Sequence, residues 1–495
     1  MTDPSPAAAP ATTPAVRHPR GLYTLFFTEM WERFSYYGMR ALLVLFMVDQ
    51  IQRGGLGYTD EVASAIYGLY VAAVYLAALP GGWLADHLLG TRRAVWYGGL
   101  VIAAGHFTLA IPRIEAFFLG LILVALGTGL LKPNVSALVG QLYPEAGARR
   151  DAGFTVFYMG INLGAFLGPI ACSTLGEKVN WHYGFAAAGV GMVAGLIQFR
   201  LTARHLGDLG HPPLNNPQRR RDIALTLIAL HVLFILVLLG LTGILPLEPV
   251  ALAQHTAGFL VALGAVYFVA LFLFAGLDAT EKRRLVVVAI LFVTSAIFWA
   301  GLEQAGSSLN LFASRFTDRE WSGWEMPAGW LQIFNPLFVI LLAPVVASLW
   351  LALARHQRRM ALPIQFGLGL ALLGCGFLVI YVASLRAAAG TMVWPTWLIT
   401  TYFFHSVGEL FLSPVGLSSV TKLAPARLVG QMMGLWFLAT SLGNLMAGLL
   451  AGQVSAAGAA EMPGRFLMVA LVTIGTGLLL VMFVRPIRRL MAGAE

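Results

Sequence analysis

Charge and cysteine are both scarce in this chain of 495 residues. Only 11% of the residues are charged, where a typical soluble domain has about a quarter, so a water-soluble single-core fold is excluded. The two cysteines, Cys172 and Cys375, lie inside apolar runs. They read as small hydrophobes and rule out a disulfide scaffold and a four-thiolate metal site. No H-E-x-x-H zinc pattern or evident Ser/His/Asp set points to an enzyme, and no metal or other cofactor is expected. Residues 1–20, rich in Ala, Pro and Thr, hold no apolar stretch, so we expect a disordered tail and no cleavable signal peptide.

What is abundant is apolar. Hydrophobic residues make up 58% of the chain, in runs of about 20 residues between Leu22 and Val484. The bilayer is therefore the expected solvent. Six spans are predicted at 22–49, 62–86, 94–112, 116–141, 152–175 and 181–202, and a second six begin near 285, 327, 363, 395, 428 and 465. Between the sixes lie a basic segment, Arg204 to Arg221, and two extra runs at 223–245 and 250–276. The expected architecture is all-α and integral to the membrane, with fourteen spans: bundles at 21–203 and 285–490, and an intervening 204–284.

Lysine and arginine placement sets the orientation, because cytoplasmic loops collect these residues. With the amino terminus inside, 22 of the 32 fall on inner segments, among them Arg92, Arg93 and Lys282 to Arg284, and 7 on outer ones. Both termini are thus expected in the cytoplasm. The net charge of +9 is this bias and not one patch for nucleic acid.

Three bases, Arg33, Arg40 and Lys132, and four acids, Glu29, Glu32, Glu303 and Glu409, fall within the spans. Each unpaired charge at a helix centre costs roughly 2.5–3.5 kcal/mol, so these seven must face a wet cavity or one another. In the first span, Glu29, Glu32, Arg33, Tyr36, Tyr37 and Arg40 recur at spacings of three and four, which makes one polar stripe. The fourth span carries Lys132-Pro133-Asn134, and the run from 395 carries Glu409 with Ser413-Pro414; both prolines are expected to break their helices. In the run from 285, Glu303, Ser307 and Asn310 share a face. Between the second and third spans, Gly81-Gly82, Asp86, Arg92 and Arg93 suit a gate at the cytoplasmic mouth, where Asp86 can pair with the arginines.

That loop resembles the signature of the major facilitator superfamily. Glu29-x-x-Glu32-Arg33-Phe-x-Tyr36-Tyr37-Gly38, Phe157-Tyr158-x-x-Ile161-Asn162 with Pro169, Lys132-Pro133-Asn134, Glu303-Gln304 and Gly408-Glu409-Leu together resemble the proton-dependent oligopeptide transporters. The resemblance spans residues 22–450. It implies a major facilitator fold and uptake of di- and tripeptides with protons, by alternating access through a central cavity, with the proton gradient as the driving force. Peptide contacts are then implied for Arg33, Tyr36, Tyr37, Tyr75, Lys132, Asn162, Asn335, Glu409, Ser413 and Trp436, and proton coupling for Glu29, Glu32, Arg33, Lys132 and Glu303. A monomer is expected to suffice. The span 64–83 lacks the histidine of animal members, which leaves proton handling to the carboxylates.

Arg33 with Glu303 and Lys132 with Glu409 are the expected pairs between the halves. A peptide ammonium is assigned to Glu409, and its carboxylate to Arg33 and Lys132. A peptide receptor and a transporter of anions or other solutes are the alternatives; a channel would want a ring of like residues.

Overall fold

A computed structural model describes residues 18–145, 147–212, 216–355, 360–456 and 458–491. Most of the expected tail, together with Arg17, Arg358 and Arg359, lies outside these. The first helices are α1 (Arg20–Val48), α2 (Asp60–Leu84), α3 (Thr91–Leu109), α4 (Ile114–Gln141), α5 (Ala148–Lys178) and α6 (Trp181–Thr202). Two more follow, α7 (Arg219–Leu241) and α8 (Pro249–Phe274). The chain then forms α9 (Ala279–Leu302), α10 (Ser308–Phe316), α11 (Phe334–Arg355), α12 (Leu362–Ala388), α13 (Thr396–Leu423), α14 (Val429–Ala456), α15 (Gly458–Met482) and α16 (Val484–Met491).

Among the described residues, eleven segments are long and apolar enough to cross a bilayer. Helices α1, α3 and α13 are more polar, because they carry Glu29, Glu32, Arg33 and Arg40, then Arg92, Arg93 and His106, then His405 and Glu409. Side-chain caps start several helices. Thr59 accepts the Val62 amide before α2, and Asp278 and Glu281 form a reciprocal capping box at α9.

The prolines correct the sequence reading. Helices α4 and α13 run continuously through Pro133 and Pro414. In α4 the carbonyl of Gly129, which Pro133 cannot donate to, meets the backbone of α2 instead. A Cβ at Gly81 would fall 2.1 Å from that oxygen, so only glycine allows the approach. Asn134 adds Nδ2 hydrogen bonds to Leu130 O at 2.7 Å and Gly81 O at 3.3 Å.

The real interruption lies between α9 and α10. Residues Glu303–Gly306 form a 3-10 turn and Ser307 leaves helical geometry at φ −126°, ψ −98°, so Glu303, Ser307 and Asn310 do not continue one α-helical face. Gly306 sits under the Tyr67 hydroxyl, where a Cβ would come within 2.2 Å. Asn310 Nδ2 donates to Ala41 O at 2.8 Å, which fastens the broken helix to α1.

We call the end at which α1 stops and α2 starts distal. The hydrogen bonds and ion pairs described between the six-helix halves lie there or at mid-depth. Arg315 makes a bidentate pair with Asp60 at 2.5 and 2.7 Å. Glu177 accepts the amides of Ala328 at 2.7 Å and Gly329 at 2.9 Å, and the Trp330 indole donates to Thr174 Oγ1 at 3.0 Å. Deeper in, Ser441 donates to Ala72 O. The bundle is therefore drawn together distally.

One departure from all-α structure serves this closure. Glu320–Trp321 (β1) and Trp324–Glu325 (β2) form a hairpin whose turn residues Ser322 and Gly323 both have positive φ, as a type I′ turn requires. It presents Glu325 to Lys178 at 3.0 Å and Arg319 at 2.7 Å. Lys178 and Arg319 hold the Glu325 carboxyl below its usual range, so the contact is fully present above the ordinary glutamate value of about 4.3. It is lost only as pH falls through the lower folded value. The Glu325 contact should hold from about pH 5 to 8 and loosen below about pH 4, as read by thiol labelling of a Val179→Cys reporter with and without Glu325→Gln. A loosening at pH 6 would exclude this contact as the sensitive one.

Candidate functional site

Helix α1 places its stripe where the halves face each other. Glu29, Glu32 and Arg33 are buried, and the Arg33 Nε donates to Glu32 Oε2 while lying 3.2 Å from Glu29 Oε1. Tyr36 lies beneath the guanidinium, 5.0 Å from its ring centre, and stacks on Tyr70. Among the described residues, Glu29 Oε2, Glu32 Oε1 and Arg33 Nη2 have no hydrogen-bond partner. Each acid thus keeps one buried oxygen, and the arginine one buried donor, without a partner, a cost that a proton or a ligand group would relieve.

Two turns further on, Arg40 and not Arg33 reaches across to Glu303. Their Nη1 and Oε2 lie 2.8 Å apart. The N–H misses the oxygen, so the contact is Coulombic rather than a hydrogen bond. The expected Arg33–Glu303 pair is corrected on two physical grounds. Arg33 is already held within its own helix, and the halves converge distally, at the level of Arg40. Tyr37 and Tyr67 flank Arg40 at 5.3 and 5.9 Å. Arg40 was legible as the seventh residue after Arg33 on one stripe; Tyr67 and Tyr70 carried no signal apart from their aromatic character.

Lys132 on α4 is half-buried. Its ammonium stands 4.2 Å over the Tyr75 ring, and the charges around it are Arg33, Glu32, Glu29 and Glu303. No Lys132–Glu409 ion pair occurs among the described residues. On the opposite side Glu409 accepts the Asn335 amide at 3.3 Å, and Asn335 also donates to Ser406 at 3.0 Å. Lys132 is set against Tyr75 and Glu409 against Asn335, so the two are not partners.

Tyr37, Tyr75, Lys132, Tyr158, Asn335, Glu409 and Ser413 are all half-buried along their helices. Ser413 lies one turn beyond Glu409. Asn162 is buried and donates to Tyr158 O at 3.0 Å. Trp436 is also buried, pressed against Gly416 of α13, and forms wall rather than open surface. At the far end Asp86 is exposed and enters no described ion pair, while Arg92 donates to Gly207 O at 3.2 Å and Arg93 is exposed. The expected Asp86–arginine pairing is thus not formed. Among the described residues no three His, Cys, Asp or Glu side chains group as metal ligands.

A helical membrane bundle closed at one end around buried acids, bases and tyrosines has the build of a solute transporter. Comparison with known proteins agrees. A profile described as "POT family" matches residues 92–468. The chain is 42% identical to the peptide transporter YePEPT of Yersinia enterocolitica, covering 97% of this chain and 96% of that protein. It is 37% identical to a di-/tripeptide transporter of Lactococcus lactis, covering 96% of each. A crystal structure of a peptide transporter POT in complex with sulfate superposes with a TM-score of 0.88 at 41% identity, covering 97% of each chain. A POT family transporter in complex with 5-aminolevulinic acid gives 0.87 at 34%, covering 96% of this chain and 98% of that one. The chain belongs to the POT family, the proton-dependent oligopeptide transporters, and is a transporter and not an enzyme.

Proposed function

We propose that this protein is a proton-coupled symporter of di- and tripeptides that works by alternating access in a bacterial inner membrane. The eleven apolar segments and the three polar helices α1, α3 and α13 make fourteen spans. We divide them at 21–203, 204–284 and 285–490, with both termini cytoplasmic, as the lysine and arginine bias suggests. The distal end is then extracellular, and the arrangement is the inward-facing one. The protein acts as a monomer and needs no cofactor besides the proton gradient.

One observation carries this reading. Arg33 is buried between two acids that each keep an unpartnered oxygen, and in the other half Glu409 is held by Asn335. A guanidinium cannot lose its proton here, whereas Glu29 and Glu32 can gain one. Protonating them frees Arg33 to bind a carboxylate, and the peptide carboxylate is that ligand. Lys132 supports it from Tyr75, and Glu409 takes the peptide ammonium. The peptides for which relatives in the family are named fit these two ends. The test is uptake of a labelled dipeptide into proteoliposomes with and without an inward proton gradient; gradient-independent accumulation would exclude symport.

The two-ended reading predicts a discrimination. Acetylating a dipeptide's amine leaves Glu409 desolvated without its charge partner, a loss of order 1–3 kcal/mol, or about tenfold or more in affinity. Competition by dialanine and acetyl-dialanine against labelled peptide should differ by that factor in the wild type, and the gap should close in Glu409→Gln. Equal competition in the wild type would remove Glu409 from ammonium recognition.

A further inference from the structure

Helix α8 does not close fully onto its neighbours. Between it and α9, α14 and α15 lies a groove of about 550 Å³, bordered by Phe268, Phe292, Ile297, Met446, Leu450 and Met468 among others. Val261, Val293 and Val472 on its rim are about half exposed, so it opens to the bundle's outer surface and not to the central cavity. Its one polar side chain, Thr473, spends its hydroxyl on Val469 O at 2.9 Å, which leaves the groove with nothing to offer a polar guest. At this depth in a bilayer the available apolar guest is an acyl chain.

The groove also has a charged foot. Phe268 lines it, and one turn further along α8 comes Phe272, exposed at the proximal end. The Lys282 ammonium stands 5.1 Å over the Phe272 ring, at the base of α9. Arg283 beside it is exposed. Among the described residues neither base has a carboxylate within ion-pair distance, and the adjacent Glu281 is engaged by Arg427 and by the α9 cap. Lys282, with Arg283 next to it in sequence, thus stands on the phenylalanine one turn beyond the end of the slot, and neither has a carboxylate partner among the described residues.

We infer that this groove is a binding site for an anionic phospholipid, with one acyl chain between α8 and α9 and its phosphate on Lys282 and Arg283. The assignment gives the extra helices a role. Helix α8 packs on α2 of the first half as well as on α9 and α14 of the second, so a lipid filling its open side would set how it rests on both. This inference rests on the membrane reading alone and stands whatever solute is carried.

The test uses the full-length protein in phosphatidylcholine nanodiscs with a phosphatidylglycerol whose acyl chain carries a diazirine. After photolysis, labelled peptides should map to 261–268 and 289–300. Unlabelled phosphatidylglycerol should compete, and added phosphatidylcholine should not. Each of Lys282→Gln and Arg283→Gln should lower labelling about fivefold, the worth of one basic side chain near an anionic headgroup. Ala265→Leu, which fills the slot and leaves the bases in place, should lower it as well; if one of the three variants fails to fold, the other two still decide. Helix α7, whose apolar residues face outward almost throughout, reports non-specific labelling. Labelling of α7 as strong as that of the groove would overturn the site. So would equal competition by the zwitterionic lipid, or labelling that ignores all the variants that fold.

Discussion

Glu32→Gln should abolish gradient-driven accumulation of peptide, by at least tenfold, and leave exchange of labelled for unlabelled peptide across the same proteoliposomes within a few-fold of wild type. The reasoning starts from the contact of Glu32 with Arg33. Of the two acids on α1, Glu32 accepts the Arg33 Nε hydrogen bond, and Glu29 approaches only as an ion pair at 3.2 Å. Glutamine mimics the protonated side chain in shape and in lacking charge. Arg33 is then permanently as free as it is after proton uptake, so peptide still binds, and it binds whether or not a proton has arrived. Binding survives while coupling fails, because a ligand shifts an equilibrium only by its difference in affinity between two states. Glu29→Gln should have a smaller effect in the same direction. Full accumulation by Glu32→Gln, with a normal dependence on the gradient, would take α1 out of the coupling mechanism.

The helices were legible because their boundaries are local chemistry. An apolar run ended by charge, proline or glycine is a span whatever it packs against, and the expected runs at 181–202 and 250–276 meet α6 and α8 to within two residues. The stripe on α1 was legible for a similar reason, since a period of three and four is a property of one helix. Partner choice between helices was not. Whether Arg33 or Arg40 meets Glu303 depends on the depth at which two halves converge, and a stripe that carries the two arginines seven residues apart offers both. The prolines misled in an instructive way. A missing N–H suggests a break, but at Pro133 the freed carbonyl is met by the close backbone of Gly81 on another helix, which no pattern within α4 reveals. The break fell at Glu303–Gly306, where the sequence shows only two glycines and two serines around an otherwise helical run.

Glu303→Ala should open the distal end. In the closed arrangement Arg40 is 5% exposed, and Glu303 is its carboxylate partner across the halves. Removing one member of a buried pair leaves an uncompensated charge at a cost of about 3–5 kcal/mol. A soluble protein would unfold locally to relieve it. This bundle has another recourse, because separating the halves exposes Arg40 to water without unravelling any helix. A penalty of about 3 kcal/mol is a shift of roughly a hundredfold in the ratio of distally closed to distally open molecules. Spin labels at Val179→Cys and Glu320→Cys, with the two native cysteines replaced, lie at the distal end on opposite halves. Pulsed electron resonance should show the longer of their distances change from a minor to the dominant population in Glu303→Ala. The control separates lost charge balance from lost packing. Replacing both partners by apolar residues, Arg40→Met with Glu303→Leu, removes the stranded charge and is typically neutral or stabilising, so the short distance should return even though no ion pair is restored. A single variant whose distances match the wild type would show that this pair does not hold the distal end shut. A double variant as open as the single one would assign the closure to the specific Arg40–Glu303 attraction instead of to the cost of leaving Arg40 alone.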